Sequence, residues 1–185
     1  MKQAMAVFLF CMLFFLGNQL RAATLPEACG DEHAHFDVKT EKDAPAPAPP
    51  QAGKARIVFI GRIDAPGCLG CLVFSPRIAV DGSWVGATKG DSYFVFDVDP
   101  GAHQVCADWK SLSAAPGKNL GVASLTAEPG KVYFFQVRIT SAPEEASGPP
   151  TVRTEWALDL KQLSDDKGWD RMKNSALATA TLRTQ

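Results

Sequence analysis

From position 54 onward the chain is a succession of short apolar runs cut by glycine and proline. The runs at 54–60 (KARIVFI), 71–74, 77–80, 83–88, 92–98 and 102–109 predict strands, separated by the breakers PG, SP, DG, KGD and DPG. A second group follows at 120–126, 131–140 and 151–158, divided by Glu128-Pro129-Gly130 and by a polar segment at 141–150. Tyr133, Phe135, Val137 and Ile139 fall on one face of their strand, and Phe134, Gln136 and Arg138 on the other. The same period of two sets Val152, Thr154, Trp156 and Leu158 against Arg153, Glu155, Ala157 and Asp159. It also places Cys106 with Gln104 and Asp108, opposite His103, Val105, Ala107 and Trp109. Cys106 is therefore easier to pair with a covering loop than to bury in a central core. Only 158–163 and the tail from Trp169 invite a helix.

Closely spaced strands without a repeated strand–helix unit predict an all-β fold. The expected form is an antiparallel β-sandwich of about seven to nine strands with a wet face, a short C-terminal helix and a disordered N-terminal spacer. The organisation reads as a signal peptide at 1–22, a cysteine-bearing arm and Ala/Pro-rich linker at 23–53, the sandwich at 54–163 and a tail at 164–185.

The N-terminal segment changes the setting. Lys2, the apolar block AVFLFCMLFFLG at 6–17 and the small residues Ala22 and Ala23 have the layout of a cleaved secretory signal. The block is shorter than the ~20 residues a finished transmembrane helix needs, so no stable membrane span is expected after processing. The cysteines do not sit in a lipoprotein box: Cys11 lies inside the apolar block and Cys29 follows Pro26-Glu27-Ala28. The expected address is periplasmic or secreted. Ahead of the strands, the alternating alanines and prolines at 44–50 form an extended, polyproline-type spacer. Phe36 and Val38, just before it, are positioned to cover part of the core.

Removing Lys2 and Arg21 with the leader takes the 19 basic residues to 17 against 20 acidic ones. That balance argues against a nucleic-acid partner. About 160 residues remain, enough for one core.

The stretch RIAVDGSWVGATKGDSYFVFDVDPGAHQVCADW at 77–109, with AEPGKVYFFQV at 127–137, resembles the exported bacterial domain-of-unknown-function family numbered 2846. The resemblance covers about 54–163. Its DG and PGxH elements also resemble PEGA-type, prealbumin-like and carboxypeptidase-regulatory-like sandwiches. It implies an extracytoplasmic β-sandwich of envelope proteins, with no reaction attached; the Ala-Pro insertion and the missing lipobox are departures from it.

Four cysteines remain after the leader: Cys29, Cys68, Cys71 and Cys106. In an exported chain they are candidates for structural disulfides, with three possible connectivities. Long loop closures favour a crossed pairing that ties Cys29 and Cys106 to the Cys68/Cys71 hairpin. Cys68 and Cys71 also have CxxC spacing, which opens a thiol–disulfide exchange reading. Against it, the flanking Pro66, Gly67 and Gly70 and the strand-like Leu72-Val73-Phe74 do not predict the helix N-terminus that activates such a thiol. Asp31, His33, His35 and Asp37 would line one edge of an extended segment and are the candidate ligands for copper or zinc; the plainer reading is a polar arm.

No GxSxG elbow or phosphate loop occurs. Asp97 and Asp99 could form an acid pair but are better read as strand-end and turn residues. Asp81-Gly82 and Lys89-Gly90-Asp91 are turn signals. Asp81, Trp84, Tyr93 and Trp109 make the candidate binding face. The sequence thus favours a non-catalytic exported module, without a cofactor, that binds an envelope protein or cell-surface component through a sheet edge or the loops at 81–91.

Overall fold

The computed structural model of the chain describes residues 27–31, 34–65, 75–110, 119–143 and 154–183. The signal segment at 1–22, His33, Cys68, Cys71 and the strand expected at 71–74 lie outside the described residues. Within them the elements run β1 (Phe36–Glu41), β2 (Ala55–Asp64), β3 (Arg77–Val80), β4 (Ser83–Ala87), β5 (Ser92–Val98), β6 (Gly101–Asp108), β7 (Leu120–Ala127), β8 (Val132–Pro143), β9 (Thr154–Leu163), α1 (Asp165–Lys173) and β10 (Ala176–Leu182). They form a six-stranded sheet, β1-β10-β5-β2-β8-β9, packed on a four-stranded sheet, β4-β3-β6-β7.

The strands appear where period-two apolar runs predict them, but the sandwich is not purely antiparallel. β2 pairs with β8 in parallel over nine positions, Arg56↔Val132 to Asp64↔Thr140, and β10 pairs with β5 in parallel at Ala176↔Ser92 and Leu177↔Tyr93. Of the strands between β2 and β8, β3, β4, β6 and β7 make the smaller sheet and β5 returns to the larger one, so β8 reaches its place beside β2 by a long crossover rather than a hairpin. The strand count exceeds the expected range because the arm and the tail supply β1 and β10. These pair antiparallel from Phe36↔Leu182 to Glu41↔Leu177.

The main core lies between the sheets. Ile57, Phe59, Phe135, Val137 and Ile139 of the larger sheet face Ile78, Val80, Val105 and Ala107 of the smaller one, joined by Trp109. Phe59 stacks on Phe94 with ring centroids 5.0 Å apart. Each such fully buried side chain contributes about 1.5–3 kcal/mol.

The outer face of the larger sheet is not simply wet. Val58, Ile60, Tyr93 and Phe134 point outward and are covered by Met172 of α1, forming a second core. The residues at 158–163 continue β9, held by pairing with β8 from Phe134↔Leu163 to Ile139↔Leu158, and the helix begins only after Ser164. Asp165 and Asp166 at its first turn and Arg171 and Lys173 at its last complement the helix dipole. The tail beyond it, ALATATL, alternates and forms a strand.

The Ala-Pro spacer has no regular secondary structure, and it is latched at its C-terminal end. Arg56 donates to the Ala48 carbonyl, and the Gln51 amide donates to Asp97 at 3.0 Å. Among the described residues no helix is long and apolar enough to cross a membrane.

Candidate functional site: a cationic cleft beside the helix

Residues 27–31 lie across the outer face of the smaller sheet. Cys29 bonds Cys106 there, with Cα atoms 5.2 Å apart, and the pair packs with Ala79, Ala28, Trp84 and Leu120. This corrects the crossed pairing expected from loop length: Cys106 points away from the main core, and the arm passes directly over it. Gly30 seats against the Trp84 indole so closely that a Cβ would lie 2.6 Å from its Cδ1. The indole N–H donates to the Asp31 carbonyl at 2.5 Å. Beneath it, Arg77 and Asp108 form a buried ion pair (2.7 Å). Arg77 also stacks on Trp84, 4.2 Å from its centroid, and donates to the Ala34 carbonyl at 2.8 Å.

The candidate binding face does not assemble. Trp109 and Tyr93 are 0% and 4% exposed, because the face predicted to carry them is core. Trp84 is partly covered by the arm. Asp81 occupies the β3–β4 turn with Gly82, both at positive φ (50° and 74°), as the DG signal predicts. Its carboxylate accepts the Gln104 amide at 2.8 Å and meets His103 Nδ1 at 2.6 Å, while His103 Nε2 lies 2.7 Å from the Asp99 carbonyl. Burial opposes the charge on both side chains, yet these bonds hold Asp81 below the usual carboxylate range and His103 above the usual imidazole value.

Asp97 and Asp99 do not act as a pair. Asp97 receives Arg56 Nε at 2.6 Å, a hydrogen bond that lowers its pKa, and Asp99 pairs with Lys54 at 2.8 Å. Asp37 of the ligand-like stretch pairs with Arg183. Among the described residues, no three histidine, cysteine or acidic side chains gather to hold a metal.

The structure instead assembles a site from residues that sequence reasoning passed over. On the outer face of the larger sheet, Ile60, Gln136 and Lys161 lie in register across β2, β8 and β9, and Arg62, Arg138 and Asp159 form the next outward row. α1 packs over Phe134 and, through Met172, reaches Ile60, leaving the polar members of these two rows along its edge. Lys167 and Arg171, one turn apart, stand along its flank. The result is a cavity of about 340 Å³ lined by Gln136, Arg138, Asp159, Lys161, Lys167 and Arg171, with Gln162, Leu163 and Ser164 at its side. A neighbouring cavity of about 430 Å³ shares Lys167 and Arg171 and adds Arg62, Asp91 and Asp170.

Charge in the first cavity is unbalanced: four cationic side chains face one carboxylate. Arg138 is partly neutralised by Asp159 at 3.2 Å and Asp64 at 3.8 Å. Lys161, Lys167 and Arg171 have no carboxylate partner among the described residues. Gln136 is 7% exposed, and its Nε2 has no hydrogen-bond partner among the described residues. An unmet buried donor costs about 1–3 kcal/mol, so this floor favours a ligand that accepts hydrogen bonds. The signal for the site was present only as scattered pieces: Lys167 and Arg171 four apart in a helix, and polar residues at alternate positions in three strands.

No family model, no curated protein and no solved structure matches the chain. The resemblance to family 2846 stands on the quoted residues alone.

Proposed function

We propose that the chain is exported, loses its first 22 or so residues, and serves in the periplasm or at the cell surface as a non-catalytic binding module. Its contact surface is the cleft beside α1. One observation carries this reading: a cation-rich cavity with an unpartnered buried amide is built on a sheet and a helix rather than on loops. Such convergent polar groups in a preformed concavity are the ordinary marks of a binding site. The loops at 81–91 are less suitable, since Asp81 and Trp84 are already engaged by His103, Gln104 and the arm. The partner is an envelope protein or a cell-surface component.

A photo-crosslinking residue at Gln162, beside the cleft, tests this against one at Val122, exposed on β7. Discrete adducts in envelope fractions from position 162 and not from 122 are expected. Equal labelling from both, or none from 162, counts against the cleft.

A second reading has its own support. Because Cys29 and Cys106 bond each other, neither is open to Cys68 or Cys71, and the CxxC spacing lets those two pair with one another. A CxxC pair in that position fits a thiol–disulfide exchange protein. A reduction potential in the range of exchange enzymes, with rapid alkylation of both thiols after mild reduction, would favour it; a resistant bond would exclude it.

A further inference from the structure

We infer that the cleft beside α1 binds a phosphoryl group, either free or at the end of a larger ligand. This rests on the reading of the cleft as the contact surface and names what enters it. The donors come from two layers, the sheet floor (Gln136 and Arg138 from β8, Lys161 from β9) and the helix packed on it (Lys167 and Arg171 from α1). A single carboxylate presents two oxygens in one plane, which one arginine fork can satisfy. A tetrahedral oxyanion presents three oxygens in separate directions and carries up to two charges, matching donors that surround it. Among the described residues three of the cations form no ion pair, and the Gln136 amide, nine-tenths buried, has an Nε2 without a hydrogen-bond partner. At about 340 Å³ the cavity exceeds the needs of a lone phosphate, and the adjoining cavity past Lys167 and Arg171 leaves a path for the rest of a ligand.

The experiment is calorimetry on the purified chain with inorganic phosphate and, separately, acetate. Sedimentation with vesicles of phosphatidylcholine, with and without phosphatidylglycerol, follows. Saturable phosphate binding is expected, weakened at least about tenfold in Lys167→Gln/Arg171→Gln and unchanged in Lys39→Gln, which removes a charge from β1. Gln136→Leu should weaken binding too. Because that position is buried, the pair Lys167/Arg171, exposed and half-buried, carries the test if it misfolds. Vesicle binding that requires phosphatidylglycerol and is lost in the double variant assigns the phosphoryl group to a lipid headgroup; phosphate binding without it assigns a soluble phosphate or phosphate ester. Acetate binding as tight as phosphate, equal losses in Lys39→Gln, or no saturable binding to either phosphate or vesicles overturns the inference. If position 162 still crosslinks a partner after such a failure, the binding-module reading stands and only the phosphoryl assignment falls.

Discussion

Gly168 of α1 lies so close to Phe134 of β8 that a Cβ on the glycine would stand 2.1 Å from the ring's Cγ. This contact sets the height of the helix over the sheet, and with it the distance between Lys167 and Arg171 on the helix flank and the Gln136–Arg138 floor. Trp169 crosses the same ring edge-on, with centroids 5.0 Å apart.

Gly168→Ala should therefore destabilise the protein despite alanine's better helix propensity. The gain of about 1 kcal/mol from propensity is outweighed by about 1–3 kcal/mol of overpacking against Phe134. Urea unfolding reads the loss. A red shift of Trp169 emission in the folded state would mark the helix lifting, whereas a more stable variant would show that the contact is slack.

Cutting the Cys29–Cys106 bond, which joins residues 77 apart, should cost about 2–4 kcal/mol. Cys29→Ser/Cys106→Ser measured by denaturant unfolding checks this. The arm should also lift from Trp84, so the variant is expected to show faster proteolysis near residues 27–34 than the parent.

Arg77 and Asp108 are 4% and 1% exposed. Removing one partner strands the other charge, so Asp108→Leu alone should lose about 3–5 kcal/mol. Arg77→Met/Asp108→Leu should recover much of it. A double variant as unstable as the sum of its singles would show that the arm carbonyls and Trp84, not Asp108, are what Arg77 mainly serves.

His103 and Asp81 form a pH-dependent clasp between β6 and the β3–β4 turn. His103 titrates higher when folded, so its contribution is complete below the ordinary value of 6.5 and is lost as pH rises through its raised folded value. Asp81 titrates lower when folded, so its contribution is present above the ordinary 3.8 and is lost as pH falls through its depressed value. Between those limits the clasp is strongest. His103→Gln should then be more destabilising at pH 5.5 than at pH 8.5, by about 0.5–1 kcal/mol for so exposed a partner as Asp81. Equal losses at both values would contradict the charged pairing.

Much of the fold was legible because β3 and β5 coincide with the segments expected at 77–80 and 92–98, where an apolar period of two is bounded by strong breakers. The outward face of Cys106 was legible for the same reason. Its partner was not: loop entropy ranks closures in the unfolded chain and says nothing about which segment crosses the sheet. β1 and β10 were hidden because short strands with few buried residues leave a weak pattern. The cleft was hidden for a topological reason. Gln136 and Lys161 meet only once β8 pairs with β9, and Arg62 joins them only through the parallel pairing of β2 with β8. Net charge averages such a cluster away.

On the proposed function, the cleft beside α1 is where this protein takes its ligand. The most direct measurement is amide chemical-shift mapping of the isotopically labelled chain during a titration with inorganic phosphate. Saturable shifts concentrated at Gln136, Lys161, Lys167 and Arg171 are expected, with the arm around Cys29 unmoved. Shifts scattered over exposed lysines without saturation, or concentrated at another face, would contradict it.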